Sequence, residues 1–139
     1  MNQDTHPRIT AGVHHVGLTV PDLDQTRAFF TDVLAYTQVG EVPDYPAVFL
    51  TDGSTMITLW RAKSPTTALE FDRRHLIGLH HLALSVPTDE ALDELYGTLL
   101  EDERAKIEFA PEPLSEGTVR HMMCTIPGGI RVEFIAASN

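Results

Sequence analysis

The chain has 139 residues, of which 42% are hydrophobic and 22% are charged, and this composition is typical of one folded domain. Its formal net charge is −10, which disfavours nucleic acid as a partner because such binding depends on neutralising phosphates with Lys and Arg. Cys124 is the one cysteine, so the sequence predicts neither an intrachain disulfide nor a thiolate metal cluster, and Cys124 is expected to be a small buried core residue.

The chain begins with a polar leader, residues 1–11, which lacks the apolar core of a secretory signal. No run of the sequence approaches the ~20 apolar residues that cross a membrane as a helix. We therefore expect a cytoplasmic protein with no membrane partner.

A strand is predicted over about Val13–Val20, where apolar residues alternate with small or polar ones. The alternation places His15, Gly17 and Thr19 on one face, and small residues around a histidine indicate a cavity. His14 falls on the opposite, apolar face, and His80 falls on the matching face of the second copy. Both are expected to pack there and to be dispensable for metal binding.

The first strand opens a module over residues 13–61 with the order β-α-β-β-β. Its helix is predicted over about Leu23–Ala35 because apolar residues recur at steps of three and four. The strands Ala47–Thr51 and Ser54–Arg61 flank Asp52-Gly53, which is a strong hairpin signal. Residues 62–78 form a predicted linker with one short helical turn.

A second module over residues 79–136 repeats this order, since His14-His15 and the strand after it recur as His80-His81-Leu82-Ala83-Leu84-Ser85-Val86-Pro87. Asp22 and Thr88 are predicted to cap the two helices. The remaining elements of the second module are predicted at Leu79–Val86, Asp89–Leu100, Lys106–Ala110, Val119–Ile126 and Ile130–Ile135. The fold class is therefore α+β, in one domain over residues 1–139.

Three residues are candidate metal ligands. By alternation, Glu133 in the last strand lies on the same kind of face as His15 and His81, while Thr58 takes its place in the first module. If the two sheets share a cavity, the two imidazoles and the carboxylate converge and suit one divalent Fe, Mn, Zn, Ni or Co ion. The alternative is that the histidines are ordinary residues of a duplicated core, since most histidines bind no metal.

The segments His15–Leu34 and His81–Leu100, with Pro127, Gly129 and Glu133, resemble the vicinal oxygen chelate superfamily of glyoxalases, extradiol dioxygenases, methylmalonyl-CoA epimerases and bleomycin- and fosfomycin-resistance proteins. The resemblance implies paired βαβββ modules that form a curved, half-open barrel. It also implies metal ligands on the first and fourth strands of each module, which are the positions of His15, Thr58, His81 and Glu133. Glyoxalase I and methylmalonyl-CoA epimerase have Glu or Gln where this chain has Thr58.

Four further residues are candidates for substrate binding. Thr58 and Trp60 lie on the fourth strand, and Arg120 and His121 open the seventh. Arg120 could bind a carboxylate or phosphonate through both its nitrogens, and His121 could move a proton. Because neighbours in a strand face opposite sides, only one of Arg120 and His121 can point inward.

The leading hypothesis is a metal-dependent enzyme that binds a small organic substrate through two neighbouring oxygens, with lyase, isomerase or ring-cleaving dioxygenase chemistry. The alternatives are a drug-binding protein of the bleomycin-resistance type without catalysis, a fosfomycin-type thiol transferase, or a regulator without activity. A chain with two half-barrels is expected to form a homodimer, in which the ligands of one metal come from one chain or from both.

Overall fold

The computed structural model describes residues 6–136, which fold as ten elements. They are β1 (His15–Val20), α1 (Leu23–Asp32), β2 (Thr37–Val42), β3 (Ala47–Thr51), β4 (Met56–Arg61), β5 (Leu82–Ser85), α2 (Asp89–Leu100), β6 (Lys106–Pro113), β7 (Arg120–Thr125) and β8 (Arg131–Ala136). The α+β class and the repeated β-α-β-β-β order are confirmed. No helix within residues 6–136 is both long enough and apolar enough to cross a membrane.

Each module forms one four-stranded sheet, with the orders β1-β4-β3-β2 and β5-β8-β7-β6. In both sheets the first strand of the module runs parallel to the fourth, which places Gly17 beside Thr58 and Ala83 beside Glu133. Thr58 and Glu133 are therefore equivalent positions, as predicted from the sequence. Over the part of the chain that the structure describes, neither sheet closes into a barrel.

The two helices begin where the sequence predicts. The Asp22 carboxylate accepts a hydrogen bond from the backbone of Gln25, and the Thr88 hydroxyl accepts one from the backbone of Ala91, both at 3.0 Å. α1 ends at Asp32, before the predicted end at Ala35, because Ala35 adopts a left-handed backbone conformation with φ 59°.

The outer histidine of each doublet lies outside the strand that follows it. β1 begins at His15 and β5 begins at Leu82, so the strand alternation does not extend to His14 or His80. Both side chains are exposed, and each ring contacts the ring of its inner neighbour edge-on. The expectation that His14 and His80 pack on the apolar face is therefore wrong.

The apolar faces of both sheets and of both helices form one hydrophobic core. Phe29 and Phe30 of α1 and Leu92 and Leu99 of α2 are almost fully buried in it. Cys124 lies in this core as predicted, and burial raises the pKa of its thiol to about 12, so the thiol stays protonated.

The modules are joined by a polar contact inside the core and by a charged one at its edge. The buried Thr26 hydroxyl of α1 lies 3.1 Å from the backbone oxygen of Pro127, in the turn before β8. At the edge, the Arg104 guanidinium bonds Asp32 at 3.2 Å and lies over the Phe29 ring. These contacts link the first module to the second in addition to their shared core.

We expect Thr26→Val to destabilise the protein by about 1–3 kcal/mol, because valine keeps the branched shape but leaves the Pro127 oxygen buried without its donor. Urea unfolding followed by circular dichroism measures the change. Thr98→Val is the matched control, since Thr98 also bonds a backbone oxygen but on the exposed face of α2, and it is expected to stay within about 0.5 kcal/mol of the parent. Equal losses in the two variants would contradict the assigned role of Thr26.

Candidate metal centre

Two of the three predicted metal ligands meet on the face of the second sheet that is turned away from α2. Glu133 is 8% exposed, and its Oε1 lies 3.3 Å from Nε2 of His81, whose side chain is one-third exposed. The meeting follows from the parallel pairing of β5 with β8, which brings the start of β5 next to Glu133. A nitrogen and an oxygen donor thus lie together at a partly open position.

His121 holds the other oxygen of the same carboxylate. β7 pairs antiparallel with β8, and the His121 Nδ1 lies 2.5 Å from Oε2 of Glu133. The His121 ring is buried, and the Phe109 ring packs on it with the centroids 4.9 Å apart. Because Oε2 is engaged by His121, the Glu133 side chain is fixed with Oε1 toward His81.

His15, the third predicted ligand, lies on the first sheet. Its side chain is exposed, and its Nδ1 lies 2.9 Å from Nδ1 of His14. Among residues 6–136, no group of three His, Cys, Asp or Glu side chains is arranged to hold a metal ion. The single chain therefore brings together His81 and Glu133 but leaves His15 apart from them.

The Thr58 side chain is hydrogen-bonded to Trp60, which lies two residues further along β4. The Trp60 indole N–H donates to the Thr58 hydroxyl at 2.8 Å, and Thr58 is 3% exposed. Gly17 permits this contact, since a Cβ there would lie 3.1 Å from the Thr58 Oγ1 and 3.3 Å from the Trp60 Nε1. Tyr45 and Phe49 contact the indole with centroids 4.6 and 6.0 Å away. We call Tyr45, Phe49 and Trp60 the aromatic wall of the first sheet.

Arg120 lies on the opposite side of the second sheet from Glu133. Its guanidinium bonds the Asp93 carboxylate of α2 at 3.0 Å and comes within 4.0 Å of Asp89. The hydrogen bond that Arg120 donates to the Asp93 carboxylate raises the pKa of Arg120. Of the two neighbours Arg120 and His121, it is His121 that points toward the candidate metal ligands.

Arg131 lies two residues before Glu133 on the same face of β8 and was not singled out from the sequence. Its guanidinium bonds both oxygens of Glu108 at 2.9 and 2.7 Å, and these bonds lower the pKa of Glu108. The Nη1 also lies 3.4 Å from Nδ1 of His80, whose pKa is lowered by desolvation and then by Arg131. The period of two along β8 places Arg131 on the same face as Glu133 and could have indicated it as a site residue. Its contacts with Glu108 and His80 depend on how β5, β6 and β8 are aligned, which periodicity does not give.

A cavity of about 1080 Å³ lies beside this cluster. It is bounded by the end of β1 at Thr19, by the linker at Arg73 and Arg74, and by Arg131 of β8. A volume of this size accommodates a small organic molecule. Room for a small molecule therefore exists beside Glu108 and Arg131, whereas His81 and Glu133 do not line this cavity.

The side chains present fit a divalent metal ion. Imidazole nitrogen and carboxylate oxygen are the donors that Mn, Fe, Co, Ni and Zn ions accept in proteins. Ligating carboxylates are themselves hydrogen-bonded as a rule, and the contact of His121 with Oε2 of Glu133 has this form.

Fold and side chains together define a duplicated βαβββ protein with a candidate metal centre on its second sheet. Residues 12–134 match the model of the Glyoxalase/Bleomycin resistance protein/Dioxygenase superfamily, and the chain belongs to this superfamily.

Among curated proteins, the chain is 30% identical over 145 residues to the 2-epi-5-epi-valiolone epimerase of an Actinomyces species, which covers 88% of this chain and 78% of the relative. The fold of this chain is similar to that of a glyoxylase/bleomycin resistance protein/dioxygenase domain from Frankia sp. EAN1pec. The TM-score is 0.79 at 25% identity, and the match covers 91% of this chain and 92% of the Frankia chain.

A third relative is known with a metal and a diol. This is the fosfomycin resistance protein FosX of Listeria monocytogenes, a variant of which was crystallised with Mn(II) and 1S,2S-dihydroxypropylphosphonic acid. Its TM-score is 0.73 at 18% identity, over 94% of this chain and 95% of FosX, so the similarity concerns the fold.

Proposed function

We propose that this protein is a metal-dependent enzyme that moves a proton next to a carbonyl group in a small substrate carrying two neighbouring oxygens. The observation that carries the proposal is the convergence of His81 Nε2 and Glu133 Oε1, 3.3 Å apart, with His121 on the other carboxylate oxygen. The third predicted ligand, His15, begins β1 in the first module, and His81 directly precedes the equivalent strand β5 in the second.

We propose further that the protein is a two-fold dimer and that each metal is held by His15 of one chain together with His81 and Glu133 of the other. The support is that His15 is exposed on the first sheet, on the same face as Gly17 and Thr58, whereas His81 and Glu133 lie together on the equivalent face of the second. A two-fold axis produces two such sites at once.

A divalent ion held by these residues would supply Lewis-acid polarisation of a substrate oxygen. The protein's own contribution is to place that oxygen and to manage protons around it. His121 fixes the Glu133 carboxylate by hydrogen bonding to Oε2. Thr58 has no titratable group, and its hydroxyl is engaged by Trp60, so it does not replace the second carboxylate of glyoxalase-type sites.

We favour a polyhydroxylated ketone as the substrate class. The epimerase relative is named for such a compound, and epimerisation beside a ketone requires removal of a proton from the neighbouring carbon and its return on the opposite face. The aromatic wall of Tyr45, Phe49 and Trp60 offers an apolar surface to the C–H face of a ring.

The test is solvent exchange. The Mn(II)- or Zn(II)-loaded protein is incubated in D₂O with hydroxyketones, including cyclitol ketones, and proton NMR follows the carbon next to the carbonyl. We expect deuterium to replace that proton and the epimer to appear. Hemithioacetals, catechols, methylmalonyl-CoA, and fosfomycin with thiols form the comparison panel, and turnover of one of these alone would contradict the epimerase assignment.

A second candidate, favoured by the aromatic wall, is a binding protein without catalysis. Trp60 is the one tryptophan of the chain, so its fluorescence reports ligand binding at the wall directly. An enzyme whose substrate chelates the metal is expected to lose most of this binding when a chelator removes the ion. Quenching of Trp60 that is unchanged by chelator would favour the binding protein.

A further inference from the structure

The cavity of about 1080 Å³ is a feature of the molecule separate from the candidate metal centre. It lies where the two modules meet, and it is lined by the end of β1, the linker, the starts of β6 and β8, and the turn between β7 and β8. His15, His81 and Glu133 are not among the residues that line it. A molecule in this cavity therefore contacts a different set of side chains from a molecule bound at the metal ligands.

Positive charge is concentrated around this cavity. Four of the ten Lys and Arg residues of the chain line it, although the chain as a whole has a formal net charge of −10. Three carboxylates also line it, so the cavity has a formal charge of +1. The four cations are Arg73, Arg74, Lys106 and Arg131. A positive cavity in an acidic protein favours a negatively charged ligand.

Two of the three carboxylates already have partners. Glu108 accepts hydrogen bonds from the Arg131 guanidinium at 2.9 and 2.7 Å, and Asp72 accepts them from two backbone N–H groups of the linker at 3.0 and 3.1 Å. These bonds lower the pKa of both carboxyl groups, so both stay ionised at neutral pH. The third carboxylate, Glu70, is exposed. Arg131 and Glu108 therefore form a neutral part of the cavity wall, and the other cations decide what binds.

Arg73, Arg74 and Lys106 keep their side-chain donors available for a ligand. The Arg73 guanidinium approaches Oε1 of Glu108 only to 3.8 Å, which is beyond hydrogen-bond distance. The side chains of Arg74 and Lys106 form no hydrogen bond or ion pair with another residue of the range 6–136. Lys106 shares a sheet face with Arg131, because both are cross-strand partners of Thr125 in β7. Three available cations around one cavity suit an anion with more than one negative charge.

Another part of the cavity wall is apolar. It includes Val20 and Phe71, which also pack in the hydrophobic core, and Pro65 of the linker. The turn between β7 and β8 lies close to this part of the wall, since a Cβ at Gly128 would lie 3.0 Å from Cγ1 of Val20 and one at Gly129 would lie 3.8 Å from Cβ of Phe71. A ligand that joins an apolar body to an anionic group therefore matches the whole cavity.

We propose that this cavity binds a small organic phosphate monoester, with the phosphate held by Arg73, Arg74 and Lys106. A phosphate monoester carries nearly two negative charges at neutral pH and three strong acceptor oxygens. Arginine can bond two phosphate oxygens at once, and lysine adds a point charge. A carboxylate needs less, because the single guanidinium of Arg131 already bonds both oxygens of Glu108. The proposal does not depend on the proposed reaction, since the three cations are not candidate metal ligands.

The experiment is a titration of the full-length protein with phenyl phosphate after EDTA has removed metal ions, so that no metal can hold the phosphate. Calorimetry gives the affinity, and ¹H–¹⁵N correlation NMR locates the site. We expect the amide signals of Gly128 and Gly129, which line the cavity, to shift, and that of Gly53, in the turn between β3 and β4, to stay in place. Unshifted Gly128 and Gly129 signals at saturating phenyl phosphate would overturn the proposal.

Two further compounds test the ligand class. Benzoate keeps the ring but has a single charge, and benzyl alcohol keeps the ring without charge. We expect benzoate to bind about 10-fold more weakly than phenyl phosphate or worse, because it offers fewer charge-assisted hydrogen bonds. Benzyl alcohol is expected to show no binding. Benzoate affinity equal to that of phenyl phosphate would overturn the assignment of a phosphate.

A double variant tests the cations themselves. Arg74→Gln combined with Lys106→Gln changes two exposed residues, so the fold is expected to be kept, and the affinity for phenyl phosphate is expected to fall about 10-fold or more. Arg61→Gln combined with Lys63→Gln is the matched control, because it removes the same charge at two exposed residues that do not line the cavity. Its affinity is expected to stay within about twofold of the parent, since salt screens distant charges. Equal losses in the two double variants would show that overall charge attracts the anion and would overturn the proposal.

Discussion

His81→Ala is expected to lose its metal, whereas the parent protein, loaded and dialysed, is expected to hold close to one divalent ion per chain. Losing a direct ligand costs more than the roughly 10- to 100-fold in affinity that loss of an outer hydrogen-bond partner costs. The vacated position would also leave Oε1 of Glu133 without the nitrogen that lies 3.3 Å from it. Inductively coupled plasma mass spectrometry measures the metal content of both proteins.

The same variant should lose metal-dependent stabilisation. A metal present at 1,000 times its dissociation constant stabilises the folded parent by about 4.1 kcal/mol, and this increment disappears when the site is broken. His75→Ala is the matched control, because the exposed His75 pairs with Asp72 in the linker and is no candidate ligand. Parent protein without metal after incubation with Mn, Fe, Zn and Ni would contradict the enzyme proposal, and so would metal retained in His81→Ala.

The sequence predicted the elements that depend on local periodicity. The strand period of two placed Glu133 and Thr58 at equivalent positions, and the helix caps at Asp22 and Thr88 followed from residue type alone. The same period could not place His14 and His80, because His14 lies directly before β1 and His80 two residues before β5, outside the strands to which the period applies.

What the sequence could not predict depends on register between distant strands. His121 contacts the Glu133 carboxylate because β7 pairs antiparallel with β8 in one particular register. Arg131 reaches His80 across the start of β5 for a similar reason. Periodicity gives the face of each side chain but not its neighbour on the next strand, so it predicted a group of three ligands without predicting which of them meet in one chain.

Mixing two inactive variants is expected to restore metal sites if each site is shared between chains. In His15→Ala every shared site lacks the first-sheet ligand, and in Glu133→Gln every shared site lacks the carboxylate. A heterodimer of the two variants has one site with both defects and one site with none. Random pairing of equal amounts therefore restores about a quarter of the parent's sites, all of them in heterodimers.

The result differs sharply if the three ligands come from a single chain, since each chain of the heterodimer would then carry its own defect and no site would be restored. The mixture is prepared by co-expression with two affinity tags, and the heterodimer is isolated before metal content and deuterium exchange are measured. A mixture of His15→Ala with His15→Asn is the control, because both variants lack the same ligand and pairing cannot restore it. A stable monomer in light scattering would rule out a site shared between chains. Restoration of metal sites in the first mixture but not in the control would mean that His15 and Glu133 bind one metal from opposite chains.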